Sequence, residues 1–244
     1  MSSRAKVLIA VAVLVLVAAG AGVWWFLKGD APDAVSLDAA VDQVDGGATN
    51  DTTATTAASG VEGTWTIDAE TGAFDFETAT GTFAGFRVDE ELAGIGASTA
   101  VGRTGDVTGD FTIEGTTVTE ATFEVDLTTI TTNESRRDNR VQDALETSSF
   151  PTATFTLTEP LELGAGAADG DSVSVTAVGD LTIHGETQSV EFPLEAQLVD
   201  DTVVLVGSLN LTFSDYGVMA PTSPIALSVD DHGILELQFL LTAT

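Results

Sequence analysis

Beyond residue 60 the chain alternates apolar and polar positions with a period of two. Trp65 and Ile67 begin the pattern, followed by Phe74 and Phe76, Phe111 and Ile113, and then Phe123, Val125 and Leu127. Phe155 and Leu157 continue it, then Val173, Val175 and Ala177, Leu181 and Ile183, and Val190, Phe192 and Leu194. Leu209, Leu211 and Phe213, and finally Leu235, Leu237, Phe239 and Leu241, complete the series. Thr, Asp, Glu, Ser or Gln fill the positions between, which is the signature of strands with one buried face. Turn-forming residues separate the sets at Glu114-Gly115, Ala168 to Asp171, His184 to Glu186 and Asp200-Asp201. The spacing predicts an all-β domain over residues 61–244, an antiparallel meander of eight or more strands. Closure into a barrel would remove its exposed edges. All the apolar rows then point inward, and a barrel of this size either packs that space with side chains or leaves room for one ligand.

Two segments depart from the strand period. Ser135 to Leu145 reads as a short inserted helix, with Ser135 placed to cap it, Val141, Ala144 and Leu145 on its inward face, and Arg136, Arg137, Arg140 and Asp143 outward. Near the N-terminus Val7 to Leu27 runs without a charge and ends in Trp24, Trp25 and Phe26. That length, at about 1.5 Å per residue, spans a hydrocarbon core of roughly 30 Å, and the aromatic end matches an interfacial belt. The expected organisation is a cytoplasmic N-terminus at 1–6, a transmembrane helix at 7–27, a disordered linker at 28–60 with a brief helix at Val35 to Val44, and the barrel at 61–244. Arg4 and Lys6 precede the span and only Lys28 follows it, so the positive-inside rule puts the C-terminal domain on the extracytoplasmic side of the cell membrane. Cleavage after a small residue such as Ala19 or Ala21 would export the domain equally.

Charge narrows the partners. The chain carries a formal charge of −30, with 38 acids against 8 basic residues. Arg4, Lys6 and Lys28 belong to the anchor region, which leaves the exported part five arginines, no lysine and a charge of −33. Nucleic acid and an anionic bilayer surface both demand basic patches, and the overall charge argues against either. There is no cysteine, so thiol catalysis, cysteine-ligated metal and disulfides are excluded. Chemistry-bearing motifs are sparse. His184 falls in a turn, Asp230-Asp231-His232 are adjacent and poorly placed to converge on one ion, and no metalloprotease, phosphate-loop or nucleophile-elbow motif occurs. No catalytic residue, metal ligand or cofactor is assigned. Asn50, Asn133 and Asn210 each begin a glycosylation sequon, a signal too short to carry weight.

Several short pieces, in order, resemble the YceI-like family. They are Trp65-Thr-Ile-Asp68, Arg137-Asp138 with Phe150-Pro151 and Phe155, Gly179 to Gly185 (GDLTIHG), Val190 to Glu195 (VEFPLE), and Phe213 to Gly217 (FSDYG). Glu146 to Phe150 and the small, Gly-rich stretch Gly94 to Gly105 depart from the family pattern. The resemblance implies a lipocalin-like barrel that binds a polyisoprenoid lipid, an isoprenoid quinone or polyprenol, for storage, shielding or transport. On that basis the lipid-facing residues are Trp65, Ile67, Phe74, Phe76, Phe123, Val125, Phe155, Leu157, Leu181, Ile183, Phe192, Phe213 and Phe239. Arg136, Arg137 and Arg140 are then either headgroup contacts at the mouth or a solvated helix face pairing with nearby acids. The expected partners are that lipid and, through the N-terminal helix, the membrane; a homodimer is left open. The competing reading is an acidic cell-surface interaction module whose barrel is filled and holds no lipid.

Overall fold

The computed structural model describes residues 31–47, 60–68, 74–221 and 226–244. The apolar run Val7 to Leu27 lies outside them, and among the described residues no helix is long and apolar enough to cross a membrane. In chain order the elements are α1 (Leu37–Gly47), β1 (Gly63–Ile67), β2 (Phe83–Leu92), β3 (Gly96–Thr104), β4 (Val107–Glu114), β5 (Thr117–Asp126) and β6 (Thr131–Thr132). Then follow α2 (Ser135–Ala144), β7 (Thr152–Leu157), β8 (Leu161–Glu162), β9 (Val173–Ile183), β10 (Glu186–Val199), β11 (Thr202–Thr212) and β12 (Ala226–Ala243).

Eight of these strands close an antiparallel barrel in the order β1, β4, β5, β7, β9, β10, β11, β12, and β12 returns to β1 where Leu241 and Ala243 pair with Ile67 and Trp65. The 18 residues of β12 exceed what β1 can pair. Its N-terminal part bonds instead to β2, and the sheet runs on through β3 to β6 as an extension of the barrel wall. Two-residue hairpins explain the register where the chain turns tightly. His184 and Gly185 both take positive φ, 53° and 77°, between paired Ile183 and Glu186, which matches the twist of the flanking strands. Valine, alanine and leucine at positions 173, 175, 177 and 181 share one unbroken strand, β9, and point to one face.

Gly179 sits in that same row because a Cβ there would stand 2.4 Å from the Phe155 ring. The closed end of the barrel is packed by Trp65, Phe111, Ile113 and Leu241, with the Trp65 indole N–H donating to the Val61 carbonyl at 2.8 Å.

Four expectations change. β2 and β3 are regular strands; Gly, Ala, Ser and Thr hid β3, and Arg87 and the acids at 89–91 hid β2. Phe74 and Phe76 belong to no strand; they flank Asp75 in a turn bridged to Thr80, and Phe74 packs against Phe83 at 5.6 Å between ring centroids. Ser135 is the first helical residue of α2, and Glu134 holds the cap position without a side-chain hydrogen bond. Asp138 instead reaches back to take hydrogen bonds from the Thr132 amide and hydroxyl, at 2.8 and 2.7 Å.

The fourth change concerns residues 31–47, expected within a disordered linker. They lie on the outside of the barrel, with α1 packed over β10, β11 and β12. The cause is visible in spacing: Leu37, Ala40, Val41 and Val44 form one stripe at i, i+3, i+4 and i+7. That stripe covers Val199, Val204, Val206 and Leu240, which face outward. Ser36 accepts from the Ala39 amide at the helix start.

Upstream of α1 the chain is pinned by a buried charge cluster. Glu236 on β12 bonds Arg87 on β2 at 2.8 Å and Arg103 on β3 at 2.6 Å. Arg87 also donates to the Pro32 and Asp33 carbonyls, and Arg103 to that of Asp33 at 2.8 Å. Arg103 crosses β2 at Gly85, its cross-strand neighbour, where a Cβ would stand 2.0 Å from the Gly102 carbonyl and 2.9 Å from the Arg103 side chain. Its guanidinium lies 4.5 Å over the Phe83 ring. Burial pushes the Arg103 group down from its ordinary value against the pull of Glu236.

Candidate functional site

The barrel interior is not filled. Three cavities of about 250, 140 and 80 Å³ lie end to end, each sharing lining residues with the next. The deepest, toward the closed end, is walled by apolar residues such as Phe111, Leu157 and Leu198. Phe123, Phe155, Leu194 and Leu205 separate it from the middle cavity, and Phe86, Leu145, Phe213 and Val218 separate the middle one from the outermost. Together the volumes fall within the roughly 300–1,000 Å³ typical of small-molecule sites, and their shape is a tapering apolar channel. Phe155 and Phe192 meet edge to face at 6.2 Å, and Phe123 and Phe239 lie 5.1 Å apart, which stiffens the middle of the channel.

Of the residues read as lipid-facing, Phe123, Val125, Phe155, Leu181, Ile183, Phe192, Phe213 and Phe239 line the middle cavity, and Leu157 the deepest. Trp65 is buried in the plug at the closed end and is not among the residues lining the three cavities, with Ile67 packed against the same cluster. Phe74 and Phe76 are not among the residues lining the lumen: Phe83, Phe74's partner, lies with Arg103 on the outer face of β2. Leu211 and Leu237, placed in the inward rows by the sequence, also line the middle cavity, and so do Phe86 and Leu205, which the sequence reading missed. Phe86 was findable, because Ala84, Phe86 and Val88 alternate with Gly85 and Arg87.

The outermost cavity opens at α2. Arg136, Arg137 and Arg140 all line it, together with Val141, Ala144 and Leu145. Arg137, Arg140, Val141 and Ala144 follow helical spacing, so one face of α2 carries cations in its first turns and apolar groups in its last. The arginines therefore share the face that sequence reading reserved for Val141 and Ala144. They differ in commitment. Arg137 pairs with Glu90 and donates to the Asn133 side chain at 2.8 Å. Arg136 and Arg140 are exposed and make no ion pair among the described residues.

Glu90 is buried beneath Arg137, and that burial holds its carboxyl above the ordinary carboxylate range despite the arginine. The folded state thus binds this proton more tightly than the unfolded chain. The stability it confers is complete below an unfolded value of about 4.3 and declines as pH rises through the folded-state value. Glu90→Gln should remove this decline. Urea denaturation of both proteins over a pH series should show the variant gaining stability relative to the native chain as pH rises, and parallel curves would refute the assignment.

Neither histidine is among the residues lining the three cavities. His184 Nδ1 lies 3.2 Å from the Tyr216 carbonyl and its ring packs on Phe150 at 4.6 Å, while His232 contacts the Thr212 hydroxyl. Asp231 takes hydrogen bonds from the Ser214 amide and hydroxyl at 3.0 and 2.6 Å. Among the described residues no three His, Asp or Glu side chains gather as metal ligands.

A closed antiparallel barrel of eight strands, with an apolar lumen that opens beneath a helix, is a lipocalin-like architecture. The YceI-like domain model matches residues 65–241, and the chain belongs to the YceI-like family. A UPF0312 protein of Shewanella denitrificans is 28% identical over 154 residues, covering 58% of this chain and 76% of that protein. One from Vibrio vulnificus is 28% identical over 161 residues, with coverage of 60% and 80%. Among solved structures, a polyisoprenoid binding domain from Saccharophagus degradans superposes with a TM-score of 0.53 at 18% identity, over 74% of this chain and 98% of that one. BcnA from Burkholderia cenocepacia gives 0.51 at 17% identity, over 65% and 95%. At these identities the solved structures speak for the fold.

Proposed function

We propose that the barrel holds a polyisoprenoid lipid, an isoprenoid quinone or a polyprenol, with its tail along the lumen and its polar head at the mouth. The observation that carries this reading is the channel itself: an apolar tube tapering from an arginine-bearing mouth to a plugged end. A prenyl tail is long, apolar and linear, with one methyl on each isoprene unit, and burying it contributes about 25 cal/mol per Å² less the cost of ordering it. Arg136 and Arg140 supply donors for a quinone carbonyl or a prenyl phosphate, since Arg137 is committed to Glu90. The polyisoprenoid binding domain from Saccharophagus degradans, which shares the fold, supports the same ligand class. No bond is made or broken in this role, which is to store, shield or carry the lipid. The apolar run at 7–27 would anchor the chain in the cell membrane with the barrel on the extracytoplasmic side.

Native mass spectrometry of residues 31–244 purified from envelopes without detergent, followed by organic extraction, tests the reading. A stoichiometric prenyl lipid is expected. A folded protein that comes out empty and takes up neither added quinone nor added polyprenol would overturn it, in favour of an acidic module that acts through its surface.

A further inference from the structure

We propose that the barrel stands mouth-down on the bilayer, with the rim around Met219 and Leu227 seated in the lipid interface, so that the lumen opens directly onto the membrane. The inference deepens the lipid-binding reading and rests on its membrane anchor. Met219 and Leu227 are the two most exposed large apolar side chains among the described residues, at 81% and 63%. Both belong to the mouth. Met219 lines the outermost cavity, and Leu227 lies between Ala226 and Val229, which also line it. Two such residues beside an apolar opening, next to the unpaired cations Arg136 and Arg140, fit a lipid interface, where apolar groups enter the acyl region and arginines reach phosphate oxygens.

The length of the N-terminal segment says what covers this rim. Pro32 and Asp33 are held on the outer wall by Arg87 and Arg103, and α1 beyond them lies on the side of the closed end, along Val204 and Leu240. Only Lys28 to Asp30 separate the apolar run from Ala31, and four chain steps reach at most about 14 Å. From Arg87 to Leu92 at the rim, β2 climbs about 17 Å, or about 13 Å along the axis of a barrel with ordinary strand tilt. At full extension that reach matches the height of the rim, so a span ending at Leu27 lets the bilayer surface meet it. The net charge of −33 opposes adhesion of a free domain to anionic lipid. The anchor supplies the proximity, and the rim needs to add only orientation.

The absence of native cysteine permits a clean test with the full chain. Leu227→Cys, Met219→Cys and, at the closed end, Glu114→Cys are each labelled with an environment-sensitive dye. Each is then reconstituted into vesicles of phosphatidylcholine and phosphatidylglycerol that carry nitroxide-labelled lipid. Flotation with the vesicles and a blue-shifted dye that loses most of its emission at 227 and 219, with emission at 114 unchanged, is the expected result. Failure to float, no quenching at any position, or quenching at 114 equal to that at 227 would overturn the proposal. The readout needs no cargo. A chain that yields prenyl lipid on extraction but leaves the dye at 227 unquenched refutes the orientation and spares the lipid-binding reading. A quenched rim on an empty barrel does the reverse.

Discussion

Glu236→Ala is expected to destabilise the barrel by about 3–5 kcal/mol, because it leaves the buried Arg103 and half-buried Arg87 guanidinium groups side by side without their shared counter-charge. Arg103 is fully buried, its Nη1 has no hydrogen-bond partner among the described residues, and Glu236 is the acid that pairs with it directly. In a domain of this size the loss corresponds to a midpoint lower by roughly 6–20 °C, read by thermal denaturation. A second effect follows from the geometry. Arg87 and Arg103 hold the carbonyls of Pro32 and Asp33, so loosening them should release the N-terminal segment. Limited proteolysis should then cut near α1 in the variant under conditions that spare the native chain. Removing the whole cluster at once, with Arg87→Met, Arg103→Met and Glu236→Leu, should recover much of the midpoint, since buried ionic groups replaced together by apolar ones cost little. Release of the segment should persist, because the carbonyls would still have lost their donors. A single variant with native stability would show that water reaches the cluster.

This cluster also marks the limit of what the chain could disclose by inspection. Arg87, Arg103 and Glu236 are joined across separations of more than 130 residues, and nothing local announces them. The barrel strands were legible wherever one face meets the lumen and the other meets water, as in β5, β9 and the second half of β12. They were hidden where that contrast fails. β3 is built from Gly, Ser, Ala and Thr, and β2 places Arg87 on an outer face that the N-terminal segment covers. β11 is apolar on both faces from Val203 to Val206, a pattern that calls for a cover outside the barrel as well as a core within. Its cover, α1, was legible as a helix and was read as part of a linker only because its partner surface lies 160 residues downstream. At the mouth, the arginines were legible as a cluster. Their direction was not, because a helix stripe that begins basic and ends apolar defeats a simple division into inner and outer faces. All five arginines beyond Lys28 now have a place: two clasp the N-terminal segment to the wall, and three stand at the opening. In a chain with 38 acids, that concentration of cations at two sites is the clearest sign that the charge is not uniform in purpose.

Ala153→Phe is expected to abolish lipid retention while leaving the fold intact. Ala153 lies on β7 in the wall of the middle cavity, where the channel has about 140 Å³ free and where any tail bound at the mouth must pass to reach the deeper space. An added ring there projects into open volume rather than into packed neighbours, so the overpacking cost should stay near or below the low end of the usual ~1–3 kcal/mol. The opposite chemistry makes the companion variant. Phe123→Gln removes a ring that separates the middle and deep cavities and introduces an amide with no partner, which penalises an apolar tail and also the empty barrel. The two variants separate the readings of the lumen. If the channel holds a prenyl tail, native mass spectrometry should find Ala153→Phe folded, with a near-native midpoint, and free of the lipid that the native chain retains. If the lumen serves only as an imperfectly packed core, Ala153→Phe should fill a void and raise the midpoint, with no mass lost because none was carried. Retention of lipid by a folded Ala153→Phe protein would place the tail outside the barrel, along the groove between α2 and β2, and would move the whole ligand to the outermost cavity.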